Sequence, residues 1–142
     1  MNILIINGPN INFIGKRETN IYGNKTYNDL KKYIFDYAKN HNHYIEIYQS
    51  NHEGEVIDKI QDNYQRFDAL IINPGAYTHY SYAIYDCLKS INIRKIEVHL
   101  SDIYNREDFR KISVTKAACE TQIYGKGFES YIDAINYLQE GS

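Results

Sequence analysis

The feature that most constrains this chain is an alternation that runs its whole length. Short apolar runs without an internal period give way to longer stretches with helical spacing, and the exchange repeats. Asn2 to Asn7 is apolar and β-branched, and Gly8-Pro9 stops it, as expected of a buried strand. Thr26 to Asn40 sets Leu30, Tyr33, Ile34, Tyr37 and Ala38 on one helical face. Thr26-x-x-Asp29 opens that helix in the manner of a capping box. His43 to Gln49 reads as a second strand and Glu53 to Phe67 as a second helix, buried through Val56, Ile57, Ile60, Tyr64 and Phe67. Asp68 to Ile72 is a third strand, ended by Asn73-Pro74-Gly75. His79 to Ile91 reads as a helix, Lys95 to Leu100 as a fourth strand, Thr121 to Gly125 as a fifth, and Phe128 to Gln139 as the last helix.

Strands that alternate with helices pair in parallel through right-handed crossovers. The expectation is an α/β, doubly wound, flavodoxin-like sheet of five strands in the order 2-1-3-4-5. The order rests on fold statistics and not on periodicity. At 142 residues, the chain fits one domain spanning 1–142 with room for a core. A net charge of −2 gives no basic footprint for nucleic acid, and no apolar run has the length of a membrane span. Met1 to Ile6 reads as a strand and not as a signal peptide. Cys87 and Cys119 lie in unrelated contexts and read as free thiols, so a cytoplasmic setting is expected. The chain holds 15 Tyr and no Trp. With tyrosine so common, only position can single one out.

Ligands of such sheets bind beyond the carboxyl ends of the strands, near the switch in strand order. The first strand delivers Asn7-Gly8-Pro9-Asn10-Ile11-Asn12 there, the third Asn73 to His79, and the fourth Glu97-Val98-His99-Leu100-Ser101. Residues two apart on a strand point to the same side. Glu97, His99 and Ser101 therefore share one face, with Ile96, Val98 and Leu100 on the other. A carboxylate beside an imidazole fixes its tautomer and favours its protonated form, which suits a general acid. A histidine whose polar groups are merely satisfied at a strand end explains the same spacing.

Residues 8 to 25 form a long loop without apolar period, of the kind used as a lid. It holds Lys16, Arg17, Glu18 and Tyr22, with Gly15 and Gly23 as hinges. A phosphate loop does not fit, because Asn10 and Arg17 stand where that motif needs Gly and Ser or Thr. Tyr22 can serve as a base only if its pKa falls from about 10. Arg17 in the same loop is a suitable cause. Packing or surface exposure is the bland reading of Tyr22. Asn51-His52-Glu53 looks like a ligand cluster, yet Ser50-x-x-Glu53 is also a helix cap, and the cap is preferred. His41 and His43 suit a helix end, and no zinc spacing occurs. Arg106 and Arg110 are either an exposed charged helix or a clamp for anions and hydroxyls.

These clues converge on a resemblance. Gly8-Pro9-Asn10-Ile11-Asn12, Gly15-Lys16-Arg17-Glu18 and Tyr22-Gly23 resemble the opening signature of type II 3-dehydroquinate dehydratases. Ser50 to Glu55 resembles the second block, and Asn73 to His79 with Ser81 and Asp86 the third. Glu97 to Ser101 and Arg106-Glu107-x-Phe109-Arg110 resemble the fourth. The blocks occur in order and span nearly the whole chain.

The resemblance implies a lyase that removes water from 3-dehydroquinate to give 3-dehydroshikimate, by anti elimination through an enolate, in the shikimate pathway. It implies no metal and no cofactor. Tyr22 would be the base, and Arg17 would lower its pKa and stabilise the transition state. His99 would protonate the leaving hydroxyl, with Glu97 and Asn12 holding it. Asn73, His79 and Arg110 would bind substrate hydroxyls, and Leu100 and Ser101 the carboxylate. Asp86 would reach a neighbouring subunit's site, since the family implies a homododecamer built as a tetramer of trimers. The chain departs from the family's usual pattern at Thr19, Tyr80, Tyr85 and Asp102. Asp102 adds a negative charge beside the expected carboxylate site.

Rival readings of the same sheet fare worse. A flavin or nucleotide module calls for a phosphate loop. A receiver domain calls for acids at positions held by Asn7 and Asn73. An inactive scaffold of the same family would not be expected to keep Tyr22, Arg17 and His99.

Overall fold

The structure, a computed structural model, describes residues 1–16 and 24–141. Five parallel strands form one sheet in the order β2-β1-β3-β4-β5. They are β1 (Asn2–Asn7), β2 (Tyr44–Gln49), β3 (Ala69–Asn73), β4 (Arg94–His99) and β5 (Thr121–Tyr124). The α-helices among the described residues are α1 (Tyr27–Asn40), α2 (Glu53–Asn63), α3 (Tyr82–Ser90) and α4 (Glu129–Glu140). This is the doubly wound, flavodoxin-like arrangement that the alternation predicts.

The alternation of side chains along each central strand splits the core into two layers. Ile3, Ile5, Ile71, Ile96 and Val98 face Leu30 and Ile34 of α1 and Tyr131, Ile135 and Leu138 of α4. Leu4, Ile6, Leu70 and Ile72 face Val56 and Ile60 of α2 and Ile84 and Leu88 of α3. Each apolar strand is thus covered on both sides, which is why β1 and β3 carry no polar alternation. Burying one such Ile or Leu contributes about 1.5–3 kcal/mol.

Local signals set most helix boundaries. The Thr26 hydroxyl accepts from the Asp29 amide at 3.2 Å, and the Asp29 carboxylate accepts from the Thr26 amide at 2.9 Å, a complete capping box. Other boundaries differ from the sequence reading. The helix expected over Glu53 to Phe67 ends at Asn63 and passes into a 3₁₀ turn over Tyr64–Arg66. That expected from His79 starts at Tyr82, because Gly75–His79 is itself a 3₁₀ turn and Ser81 caps α3 through the Ile84 amide. His52, not Ser50, is the N-cap of α2 and lends no side-chain bond. Ser50 instead accepts from the His52 amide at 3.0 Å, so the preferred cap reduces to a turn that starts two residues before the N-cap.

Sheet order has a direct consequence. From β1 the chain steps outward to β2, then returns to the other side of β1 for β3. The switch lies between β1 and β3, whose last residues Asn7 and Asn73 are register partners. The loops beyond them pack backbone to backbone. The Gly8 amide donates to the Asn73 carbonyl at 2.8 Å, and a Cβ on Gly8 would collide with the Pro74 carbonyl. Gly75 takes φ 61° against Pro9, a conformation and an approach suited to glycine.

Candidate active site

A pocket opens beyond the carboxyl ends of β1, β3 and β4. Asn73 and His79 line it from β3 and the turn after it. His99, Leu100 and Ser101 line it from the end of β4, and Arg106 and Arg110 from the segment that follows. Pro9, Asn10 and Ile11 close the side toward β1. Six residues nominated from the sequence thus meet in one cavity, although they lie in three chain segments.

His99 is 4% exposed and Glu97, behind it, is fully buried. The His99 Nε2 lies 2.9 Å from Glu97 Oε2. Their spacing on β4 puts both side chains on the same side of the strand, while Ile96, Val98 and Leu100 enter the core layer under α4. Burial alone pushes the Glu97 carboxyl up; the hydrogen bond and charge of His99, with bonds from Thr115 and Gln122, outweigh it and hold the carboxyl below its ordinary value.

Four further donors surround Glu97, and the sequence reading nominated none of them. Thr78 donates to Oε2 at 3.0 Å, Ser113 at 2.9 Å and the Gln122 amide at 2.6 Å, and Thr115 donates to Oε1. Gln122 is the register partner of Glu97 on β5, so its side chain emerges on the same side of the sheet. Ser113 and Thr115 lie two apart in a segment laid against Thr78 by the Val114 amide, which donates to the Thr78 carbonyl at 2.7 Å. Two hydroxyls at extended spacing, in a stretch without helical period, were the available signal.

His79 is held by its backbone neighbour: its Nδ1 lies 2.6 Å from the Ile112 carbonyl. Burial lowers its pKa, the bond to Ile112 opposes this, and the positive charge of Arg110, His99 and Arg106 lowers it further. Asn73 is 2% exposed. Its Oδ1 accepts from the Gly75 amide at 3.1 Å and its Nδ2 donates to the Tyr131 hydroxyl at 3.0 Å.

The segment with Arg106 and Arg110 is not an exposed α-helix. Asp108–Lys111 is a short 3₁₀ turn, and both arginines face the pocket, in keeping with the clamp reading. Arg106 Nη1 lies 3.5 Å from the Ser101 hydroxyl, and Arg110 Nε lies 2.7 Å from Glu107.

Other nominated residues lie elsewhere. Asn12 is exposed, and its Oδ1 accepts from Gln49 at 3.2 Å; no bond joins it to His99. Asp86 is exposed on α3 and does not line the pocket of its own chain. Arg17 and Tyr22 lie outside the described residues. Asp102 does not line the pocket either. Its two oxygens accept from the Tyr104 amide at 3.0 Å and the Asn105 side chain at 2.9 Å.

The geometry is that of an acid–base pair opening on a cavity with two guanidinium groups. Comparison with known proteins identifies the family. The family described as Dehydroquinase class II matches residues 1–139. The chain is 51% identical to the 3-dehydroquinate dehydratase of Thermotoga neapolitana over 142 residues, covering 100% of this chain and 97% of that one. It is 54% identical to the 3-dehydroquinate dehydratase of Clostridium beijerinckii over 140 residues, covering 98% and 96%. The crystal structure of a type II dehydroquinase from Butyrivibrio crossotus superposes with a TM-score of 0.96 at 57% identity, covering 98% of this chain and 97% of that one. This chain belongs to the class II dehydroquinase family.

Proposed function

We propose that this chain is a 3-dehydroquinate dehydratase, a hydro-lyase that converts 3-dehydroquinate to 3-dehydroshikimate in the shikimate pathway. The observation that carries the reading is the buried Glu97–His99 pair, with His99 on the wall of a pocket shared with Arg106 and Arg110. Relatives over the full length bear that enzyme's name. The substrate is an anion, and the guanidinium groups suit one.

The reaction is an anti elimination. Tyr22 takes the proton beside the ketone, and the enolate that forms needs positive charge and hydrogen-bond donors nearby. Arg17 supplies charge and lowers the pKa of Tyr22. His99 gives a proton to the departing hydroxyl, which leaves as water. Glu97 holds the imidazole through Nε2, and Asn12 steadies it. Two titratable groups with opposite tasks meet the need for separate acid and base. Leu100 and Ser101 receive the carboxylate. Asn73, His79 and Arg110 hold the ring hydroxyls. Backbone N–H and hydroxyl groups at Leu100 and Ser101 do the carboxylate binding, and the scheme calls on no metal or cofactor.

The assembly proposed is a homododecamer, a tetramer of trimers, in the cytoplasm. Asp86, exposed on α3, would then serve the site of an adjacent copy. Sedimentation of the purified protein tests the assembly.

Metal-stripped protein mixed with 3-dehydroquinate, followed by the absorbance of the conjugated enone, tests the reaction. Turnover in the parent and its loss in Tyr22→Phe, with circular dichroism unchanged, is the expected result. Activity that persists in Tyr22→Phe would remove the base assignment and keep the enzyme. A parent without turnover, even after divalent metal is restored, would overturn the reading.

A further inference from the structure

We propose that Thr78, Ser113, Thr115 and Gln122 are positioning residues that keep the proton shared by Glu97 and His99 on His99 Nε2, so that Nδ1 is the atom through which His99 exchanges a proton with its ligand. The catalytic half of this statement rests on the reaction proposed above; the tautomer does not.

A carboxylate offers about four lone-pair sites and, when ionised, only accepts. Oε2 of Glu97 has four donors around it: Thr78 at 3.0 Å, Ser113 at 2.9 Å, Gln122 at 2.6 Å and His99 Nε2 at 2.9 Å. Oε1 accepts from Thr115. A proton placed on Glu97 would turn one oxygen into a donor among partners of which the Gln122 amide nitrogen can only donate, and the hydroxyls would have to turn from donating to accepting. In a site that is fully buried, such a mismatch is costly.

Gln122 cannot relieve it by turning over. Its Oε1 accepts from the Tyr104 hydroxyl at 2.5 Å, which commits the amide nitrogen to Glu97. Tyr104 in turn lies 3.3 Å from the Lys116 ammonium, so its own proton points to Gln122. Thr78 adds contacts to Ser113 at 2.7 Å and Thr115 at 2.9 Å, which tie the three hydroxyls into one cluster.

The other charged and titratable neighbours leave this assignment in place. His79, Arg106 and Arg110 stand across the pocket. Lys95 and Cys119 lie behind the pair, and burial followed by the charge of Glu97 pushes the Cys119 thiol up to about 12, so it stays neutral.

The consequence for catalysis is specific. In the imidazolium, Nε2–H faces Glu97 and Nδ1–H faces the ligand. As the C–O bond breaks, its electron pair goes to oxygen, oxygen takes the Nδ1 proton, and water leaves while the enolate electrons close the new C=C bond. His99 is left neutral with its proton still on Nε2, the tautomer that the donors around Glu97 require.

Nitrogen-15 NMR of the histidine rings in the full-length protein, with His99 identified by its loss in His99→Asn, reads the tautomer directly. Neutral His99 in the parent is expected to carry its proton on Nε2. Thr115→Val and Gln122→Met should each shift neutral His99 toward the Nδ1–H form. Each should also lower kcat roughly tenfold, a fraction of the roughly 10²–10⁴-fold that a general acid supplies, with KM within about twofold. Thr115→Ser should restore both. An Nδ1–H tautomer in the parent, or unchanged tautomer and kcat in both folded variants, would overturn the proposal. A parent with the Nε2–H form and no turnover would sink the reaction and leave the proton assignment standing.

Discussion

The side-chain amide of Asn73, at the end of β3, donates to the hydroxyl of Tyr131 on α4 at 3.0 Å, across 58 residues of sequence. That hydroxyl donates onward to Asn7 Oδ1, at the end of β1, at 2.6 Å. One buried tyrosine therefore bridges the two strands that flank the switch in strand order. It also decides which way Asn73 points. With Oδ1 turned to the Gly75 amide and one N–H turned to Tyr131, Asn73 has an N–H left for the pocket and presents a donor there.

Tyr131→Phe removes the bridge and keeps the ring in the core. The Asn7 and Asn73 amides lose a buried partner, so the variant is expected to be less stable by about 1–3 kcal/mol. Urea unfolding measures this as a lower midpoint with an unchanged slope. KM should rise more than kcat falls, because Asn73 loses its fixed orientation and His99 does not.

Thr26→Ala isolates a purely local term. It deletes the hydroxyl that accepts from the Asp29 amide and half of the capping box of α1. The expected cost is about 1 kcal/mol, read by the same denaturation, with kcat and KM unaltered.

Stability should depend on pH through His79 before it depends on Glu97. Burial, and then the charge of Arg110, His99 and Arg106, holds the folded His79 below its ordinary value despite the bond to Ile112. The unfolded chain then binds more protons than the folded one as pH falls below about 6.5, so stability declines on acidification in that range. Glu97, also lowered when folded, adds its loss only below the usual carboxylate range. His79→Asn should flatten the slope of unfolding free energy against pH between about 7 and 5. An equal slope in parent and variant would assign the dependence to another group.

Neither thiol should react readily in the native protein. Burial raises Cys87, and burial with the charge of Glu97 raises Cys119 to about 12. The thiolate is the reactive form. A colorimetric disulfide reagent at pH 8 is expected to react slowly with native protein and rapidly with both cysteines after unfolding.

The apolar runs Asn2–Asn7 and Ala69–Asn73 were legible as strands because they are covered on both faces, and the helices because their apolar residues recur at helical spacing. The pair Glu97 and His99 was legible from spacing alone, since strand geometry sets residues two apart on one side. Thr78, Ser113, Thr115 and Gln122 were not. Each comes from a different stretch or a segment without period, and only the register of β4 with β5 and the bond from Val114 to Thr78 bring them to one carboxylate.

By itself, the order of residues determined the alternation of strands and helices, the two-sided core and the candidate acid with its carboxylate, because these follow from the backbone's own periods. Tertiary structure alone decided which hydroxyls and amides satisfy Glu97, how Tyr131 aims Asn73, and that Asp102 turns to its own loop rather than to the pocket. Those depend on distances between segments far apart in the chain, and no local period encodes them.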